Sequence, residues 1–153
     1  MQIPVETSEI DFDLREGSIA SSKGYPRFAY FGGWLSASPP QPVVIVVLET
    51  PENLPGAVFE AFADNSVRVV PLQDFQVPEG QILQVWTLYD PEVGPVSLGT
   101  LPRAEVSVLE GPPQPPPVAE QLYEITLEPA PGSPTGLPTG PILVKGLAKR
   151  LPR

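Results

Sequence analysis

The sequence predicts an all-β fold, a single antiparallel β-sandwich of about seven to nine strands joined by Pro/Gly-rich loops. Three observations carry that expectation. Short apolar or alternating runs recur along the chain, each closed by Pro, Gly or Asn, which is the pattern of packed β-strands. The 23 prolines leave no uninterrupted stretch for a long helix. A composition with 41% hydrophobic and only 18% charged residues suits a packed core better than a disordered chain. At 153 residues the chain is about one domain long, enough to bury roughly two-thirds of its unfolded surface.

Residues 1–16 mix acids, Ser and isolated apolar positions, so an edge strand or a partly disordered segment is expected there. The β-domain is expected over 17–146, followed by a basic tail at 147–153. Its strands are read in order as RFAYF (27–31), VVIVVLE (43–49), AVFEAF (57–62), SVRVV (66–70), ILQVWTLY (82–89), VSLGTL (96–101), EVSVLE (105–110), LYEITLE (122–128) and PILVKG (141–146). VVIVVLE is apolar at every step before Glu49, which predicts a central strand covered on both faces. LYEITLE alternates, which predicts Tyr123, Ile125 and Leu127 facing inward with Glu124, Thr126 and Glu128 facing water.

The connections carry their own signals. Asp64-Asn65 tolerates the left-handed backbone of a tight turn, while Asp90-Pro91 and Val93-Gly94-Pro95 interrupt strand pairing. Pro112-Pro113-Gln114-Pro115-Pro116-Pro117 reads as a short polyproline bridge between two strands, in preference to an SH3-type ligand. No internal repeat is evident.

Charge and composition exclude several functions. The formal charge is -9, and Lys145, Lys149, Arg150 and Arg153 place four of the nine bases in the last nine positions, so residues 1–144 are strongly acidic and repel nucleic acid. With no cysteine and no histidine, thiolate nucleophiles, Ser-His dyads and the usual zinc and copper ligand sets are missing, and no enzyme activity, cofactor or metal is expected. The longest apolar run, VVIVVL, is far short of the ~20 residues of a spanning helix, so no membrane contact by this chain itself is expected.

The most unusual stretch is EPAPGSPTGLPTGP (128–141), with five prolines and three glycines. A phosphate-binding loop needs a run of free N–H groups and a following helix, whereas prolines remove donors here and a strand follows. The stretch reads instead as a stiff Ω-like connection. Gly132, Gly136 and Gly140 would turn left-handed corners, and Ser133, Thr135 and Thr139 would bond backbone groups that no ladder satisfies. Glu9, Asp11 and Asp13 could share one strand face as a calcium seat, but the surrounding sequence lacks a calcium-loop pattern and a solvated face is the better reading. Asp90 and Glu92 read as turn residues rather than a hydrolase pair, and a Ser133–Lys145 dyad is the weakest candidate. Trp86, in mid-strand, is expected to pack in the core; Trp34, after two glycines, is less constrained.

Three pieces taken in order resemble one family. They are the strand from Gly80 to Trp86, the strand opened by Pro95 with Ser97, Leu98 and Gly99, and the loop carrying Glu128, Pro129, Gly132, Ser133, Pro134, Thr135, Gly136, Pro138, Thr139, Gly140 and Pro141. The series is similar to the C-terminal extracytoplasmic domain of the anti-sigma-K factor (RskA) family, with its G-x-x-Y-Q-L-W, P-V-S-L-G and T-L-E-P-x-G-G-S-P-T-G-x-P-T-G-P motifs. Leu83, Val85 and Pro131 depart from these motifs. The resemblance implies a non-enzymatic sensing or regulatory domain on the extracytoplasmic (periplasmic) side of the bacterial inner membrane, within a single-span parent protein. It further implies a regulatory protease or sensor protein as partner, and contact with a sigma factor only through the parent's cytoplasmic segment. An extracellular adhesion or carbohydrate-binding sandwich is the alternative, since such folds serve many roles.

Overall fold

The computed structural model describes residues 38–149, and the expectations for residues 1–16, the strand at 27–31, the Glu9/Asp11/Asp13 cluster and Trp34 lie outside them. Within the described residues the chain is all β. Eight strands follow in order: β1 (Val44–Glu49), β2 (Pro55–Ala61), β3 (Ser66–Pro71), β4 (Gln81–Leu88), β5 (Val96–Leu101), β6 (Ser107–Glu110), β7 (Leu122–Pro129) and β8 (Ile142–Leu147). They form one sheet in the order β5-β4-β7-β8-β1-β2-β3-β6, with every neighbouring pair antiparallel.

The sheet curls until its two ends meet, so the architecture is a nearly closed barrel rather than two stacked sheets. At the meeting point Gly99 of β5 lies against Leu109 of β6, where a Cβ on the glycine would stand 3.3 Å from the leucine methyls. Right-handed strand twist drives such coiling, and bringing the ends together leaves no long open edge for another chain to extend. The enclosed core includes Leu48, Phe59, Val69, Val85, Leu98 and Val144, all at most 2% exposed. The rings of Phe59 and Tyr123 stack across it at 4.3 Å.

Local sequence explains the turns. Asn65 takes φ 68° after Asp64, whose carboxylate accepts from the Ser66 N–H at 2.9 Å, and this joins β2 to β3. Between β4 and β5, Asp90 Oδ1 accepts from Glu92 N–H and Gly94 takes φ 82°, so Asp90 and Glu92 are turn residues. The polyproline bridge between β6 and β7 is tied back to that first turn, because Asn65 Oδ1 accepts from the Gln114 N–H at 3.1 Å.

Two strands reverse the expected pattern. β1 is covered on one face only: Val46 and Leu48 are buried, while Ile45 and Val47 are 50% and 48% exposed. β7 is covered on both: Tyr123 and Ile125 face the core as expected, yet Glu124, Thr126 and Glu128 on the other face are also buried. The reason is the β7–β8 connection, which bonds to the outer face of β4 and β7 and leaves the outer face of β1 open.

Candidate functional site

β4 and β7 pair over eight residues, which sets Gln84 beside Thr126 and Trp86 beside Glu124 on the outer face. A strand normally gives such positions to solvent, but here they are buried and polar. The loop over residues 130–141 supplies their partners.

Glu128 is the anchor. Its side chain is fully buried with no cation among the described residues bonded to it, and neutral donors surround the carboxylate. Oε1 accepts from Thr126 Oγ1–H at 2.7 Å, from Thr139 N–H at 2.9 Å and from Gly140 N–H at 3.1 Å, and Oε2 accepts from Thr139 Oγ1–H. Thr126 Oγ1 in turn accepts from the indole N–H of Trp86 at 2.9 Å. Burial is the largest influence on this carboxyl and pushes its pKa up. The donors from Thr139, Thr126 and Gly140 together outweigh it and hold the group below the ordinary glutamate value. Trp86 is fully buried, as expected of a mid-strand tryptophan, but on this outer face and bonded through its N–H rather than in the apolar core.

Gln84 is the second tether. Its Oε1 accepts from Ser133 N–H at 2.7 Å and its Nε2 donates to Ser97 Oγ at 2.8 Å. One side chain thus joins the β4 motif, the β5 motif and the loop. Backbone bonds reinforce both ends: Ala130 N–H donates to Gly80 O at 2.9 Å, and Leu127 N–H donates to Pro141 O at 3.0 Å. Gly80 itself turns into β4 with φ 78°.

Within the loop, Ser133 Oγ–H donates to Leu137 O, and Thr135 Oγ1 accepts from Leu137 N–H at 3.3 Å. Gly132 and Gly136 take φ 153° and 76°, as expected of left-handed corners. Gly140 does not turn one. It is required for a different reason: a Cβ there would stand 1.7 Å from Leu127 O. Pro134, Thr135, Gly136 and Leu137 form the exposed tip, and Pro129 closes β7. Pro95 leads into β5, where Leu98 is core and Gly99 makes the close approach to Leu109.

The structure therefore brings most of the sequence-selected residues into one connected assembly, with Leu98 and Gly99 serving the core and the barrel closure instead. Sequence reasoning missed Gln84 and Thr126. The signal for Gln84 was a polar side chain in the middle of the apolar strand ILQVWTL.

Chemically, the assembly uses up its own polar groups. Ser133 Oγ is bonded inside the loop, and Lys145 is level with Glu124 on β7, so the two do not form a dyad. Among the described residues no cluster of acidic side chains is arranged to hold a metal ion, and every buried side-chain nitrogen or oxygen has a partner. What remains available to another molecule is the exposed tip. The family model described as anti-sigma-K factor rskA, C-terminal, matches residues 31–142, which span β1 to β7 and the whole loop. Neither a curated protein nor a solved structure matches the chain.

Proposed function

The chain belongs to the anti-sigma-K factor rskA C-terminal family, and from that membership we propose that it is the extracytoplasmic, non-enzymatic regulatory domain of a membrane-anchored anti-sigma factor. The observation that carries the reading is the pinned loop. Its motif residues are held by Glu128 and Gln84, which presents residues 134–137 as a rigid exposed tip instead of lining a reactive pocket. A stiff, preorganised tip loses little entropy on association, which suits recognition by a protein partner such as a protease or sensor. Sigma-factor contact belongs to the parent's cytoplasmic segment.

The test is a transcription assay in cells carrying the parent protein. Shaving the tip with Leu137→Ala, whose side chain is 51% exposed, should change output from the sigma-dependent promoter while the purified domain melts as before. Residues 1–153 alone should not retain the sigma factor in a pull-down. Unchanged output, or tight sigma binding by this chain, would overturn the reading. An adhesion or carbohydrate-binding role would instead show as specific retention on a glycan array.

A further inference from the structure

The bridge between β6 and β7 spans one mouth of the barrel. β6 neighbours β3 and β7 neighbours β8, so residues 111–121 cross from one side to the other of the arc β7-β8-β1-β2-β3, at the end where β1, β3 and β7 begin. Prolines stiffen the bridge, and hydrogen bonds fix it on both sides. Next to β3, Gln114 N–H donates to Asn65 Oδ1 at 3.1 Å. Next to β7, Val118 N–H donates to Gln121 Oε1 at 3.0 Å and Glu120 N–H donates to Ala148 O at 2.9 Å.

A hollow of about 580 Å³ is left between the bridge and the end of the barrel. Small side chains make the room, since Ala61, Ala63, Ala119 and Ala148 all line it. The buried Val67 and Tyr123 line it from the barrel interior. The volume suits a small molecule, and the mouth of a barrel is a usual place for one. Charge narrows the choice. In a chain of formal charge -9, none of the side chains lining the hollow is acidic; Asp64 and Glu120, adjacent in sequence to lining residues, are not among them. Two donors stand at its rim. Asn65 accepts from the bridge through Oδ1, and its NH₂ group has no partner among the described residues. Lys149 has no ion-pair partner among them either. Gln121 is already engaged, since its Nε2 donates to Thr87 Oγ1 at 2.8 Å.

We propose that this hollow binds a small amphiphilic carboxylate, its apolar body seated against the alanines and its carboxylate accepting from Lys149 Nζ and the Asn65 NH₂ group. A cationic head would meet two donors and no acceptor side chain of its own charge preference. The bridge, held on both sides, keeps the hollow open before the ligand arrives, so little ordering opposes binding.

Octanoate is the probe, titrated into residues 1–153 and followed by amide NMR. For about ten heavy atoms in a hollow open on one side, a dissociation constant of about 0.1–1 mM is expected, with saturable shifts at the Asn65 side-chain NH₂, Gln114 and Lys149. Lys149→Gln should weaken octanoate about fivefold or more, for the loss of a charge-assisted hydrogen bond at an exposed position. Octylammonium, equal in apolar length and opposite in charge, should not saturate these signals. Ala63→Trp and Ala119→Trp each fill the hollow from an exposed position and should abolish the shifts with the thermal midpoint unchanged. The absence of a saturable shift up to about 10 mM overturns the proposal. Equal binding of octanoate and octylammonium, or binding indifferent to Lys149→Gln or to both tryptophan variants, overturns it as well, because the carboxylate is then not held at this rim or the ligand sits elsewhere.

Discussion

Thr139 donates twice to Glu128, through its backbone N–H and through its hydroxyl, and so fastens the far end of an eleven-residue excursion to the strand it left. Gly140 N–H and Thr126 Oγ1–H complete the shell around the same carboxylate. A buried anion without a cation is stable only when donors converge on it, and this motif supplies them at fixed positions.

Glu128→Gln, although nearly isosteric, should therefore loosen the loop from β7. The amide offers one acceptor where two stood and turns an NH₂ toward donors that need a lone pair. A loss of about 2–3 kcal/mol is expected, read as a lower urea midpoint with an unchanged slope. Thr139→Ala removes one of the four bonds and should cost about 1 kcal/mol. Equal stability of Glu128→Gln and wild type would mean that the carboxylate does not hold the loop.

Acid should act on the same contact. The Glu128 pKa is depressed in the folded state, so its contribution is fully present above the unfolded glutamate value of ~4.3 and is lost as pH falls through the folded value. Glu124 has the opposite sign. Burial, only partly offset by Lys145, raises its pKa, so its ionisation opposes folding at neutral pH and that penalty fades as acid protonates it. Urea midpoints followed downward from neutral pH should fall less steeply below pH ~4 in Glu128→Gln than in wild type, and in Glu124→Gln they should fall more steeply above pH ~4, where the wild-type Glu124 takes up its proton. Parallel curves for all three would refute the assignment.

The strands were legible because their runs and turn residues are local: Asp64-Asn65, Asp90 and Gly94 act where they stand. The loop was legible as a structural connection for the same reason, since Pro, Gly and Thr spacing dictates corners and local bonds. Two things were not. Closure depends on Gly99 meeting Leu109 across the ends of the sheet, a long-range event without a pattern in either strand. The covered face of β7 depends on a loop returning over Thr126 and Glu128, so alternation that ordinarily means one wet face meant two buried ones. The runs VVIVVLE and LYEITLE thus pointed to the opposite strand as the one covered twice.

That reversal has a measurable consequence on β1. Val46→Ala and Leu48→Ala remove core volume and should each cost about 1–4 kcal/mol, with the larger loss at Leu48. Ile45→Thr and Val47→Thr change half-exposed positions and should stay within about 0.5 kcal/mol under dilute conditions. Chemical denaturation of the four variants separates the faces. Similar losses at 45 and 46 would restore the reading of β1 as a strand covered on both sides.

The glycines of the loop offer the sharpest discrimination between conformation and space. Gly136 has the left-handed φ of 76° but nothing within 4 Å of a Cβ, so Gly136→Ala strains only its own backbone and should cost about 1–2 kcal/mol. Gly140 lacks that φ, yet a methyl group there would be driven into Leu127 O at 1.7 Å, a contact with backbone that no rotamer relieves. Gly140→Ala must push the loop off β7, which also pulls the Gly140 and Thr139 N–H groups away from Glu128. Its cost should exceed that of Gly136→Ala by about 2 kcal/mol or more, since a clash and lost bonds to a buried charge combine. The double variant Gly140→Ala with Glu128→Gln should then lose much less than the sum of its parts, because both changes break the same anchor. Thermal or urea melts of the three single variants and the double decide it. Additive losses would mean that Gly140 is needed for some contact other than the one that closes the loop over Glu128.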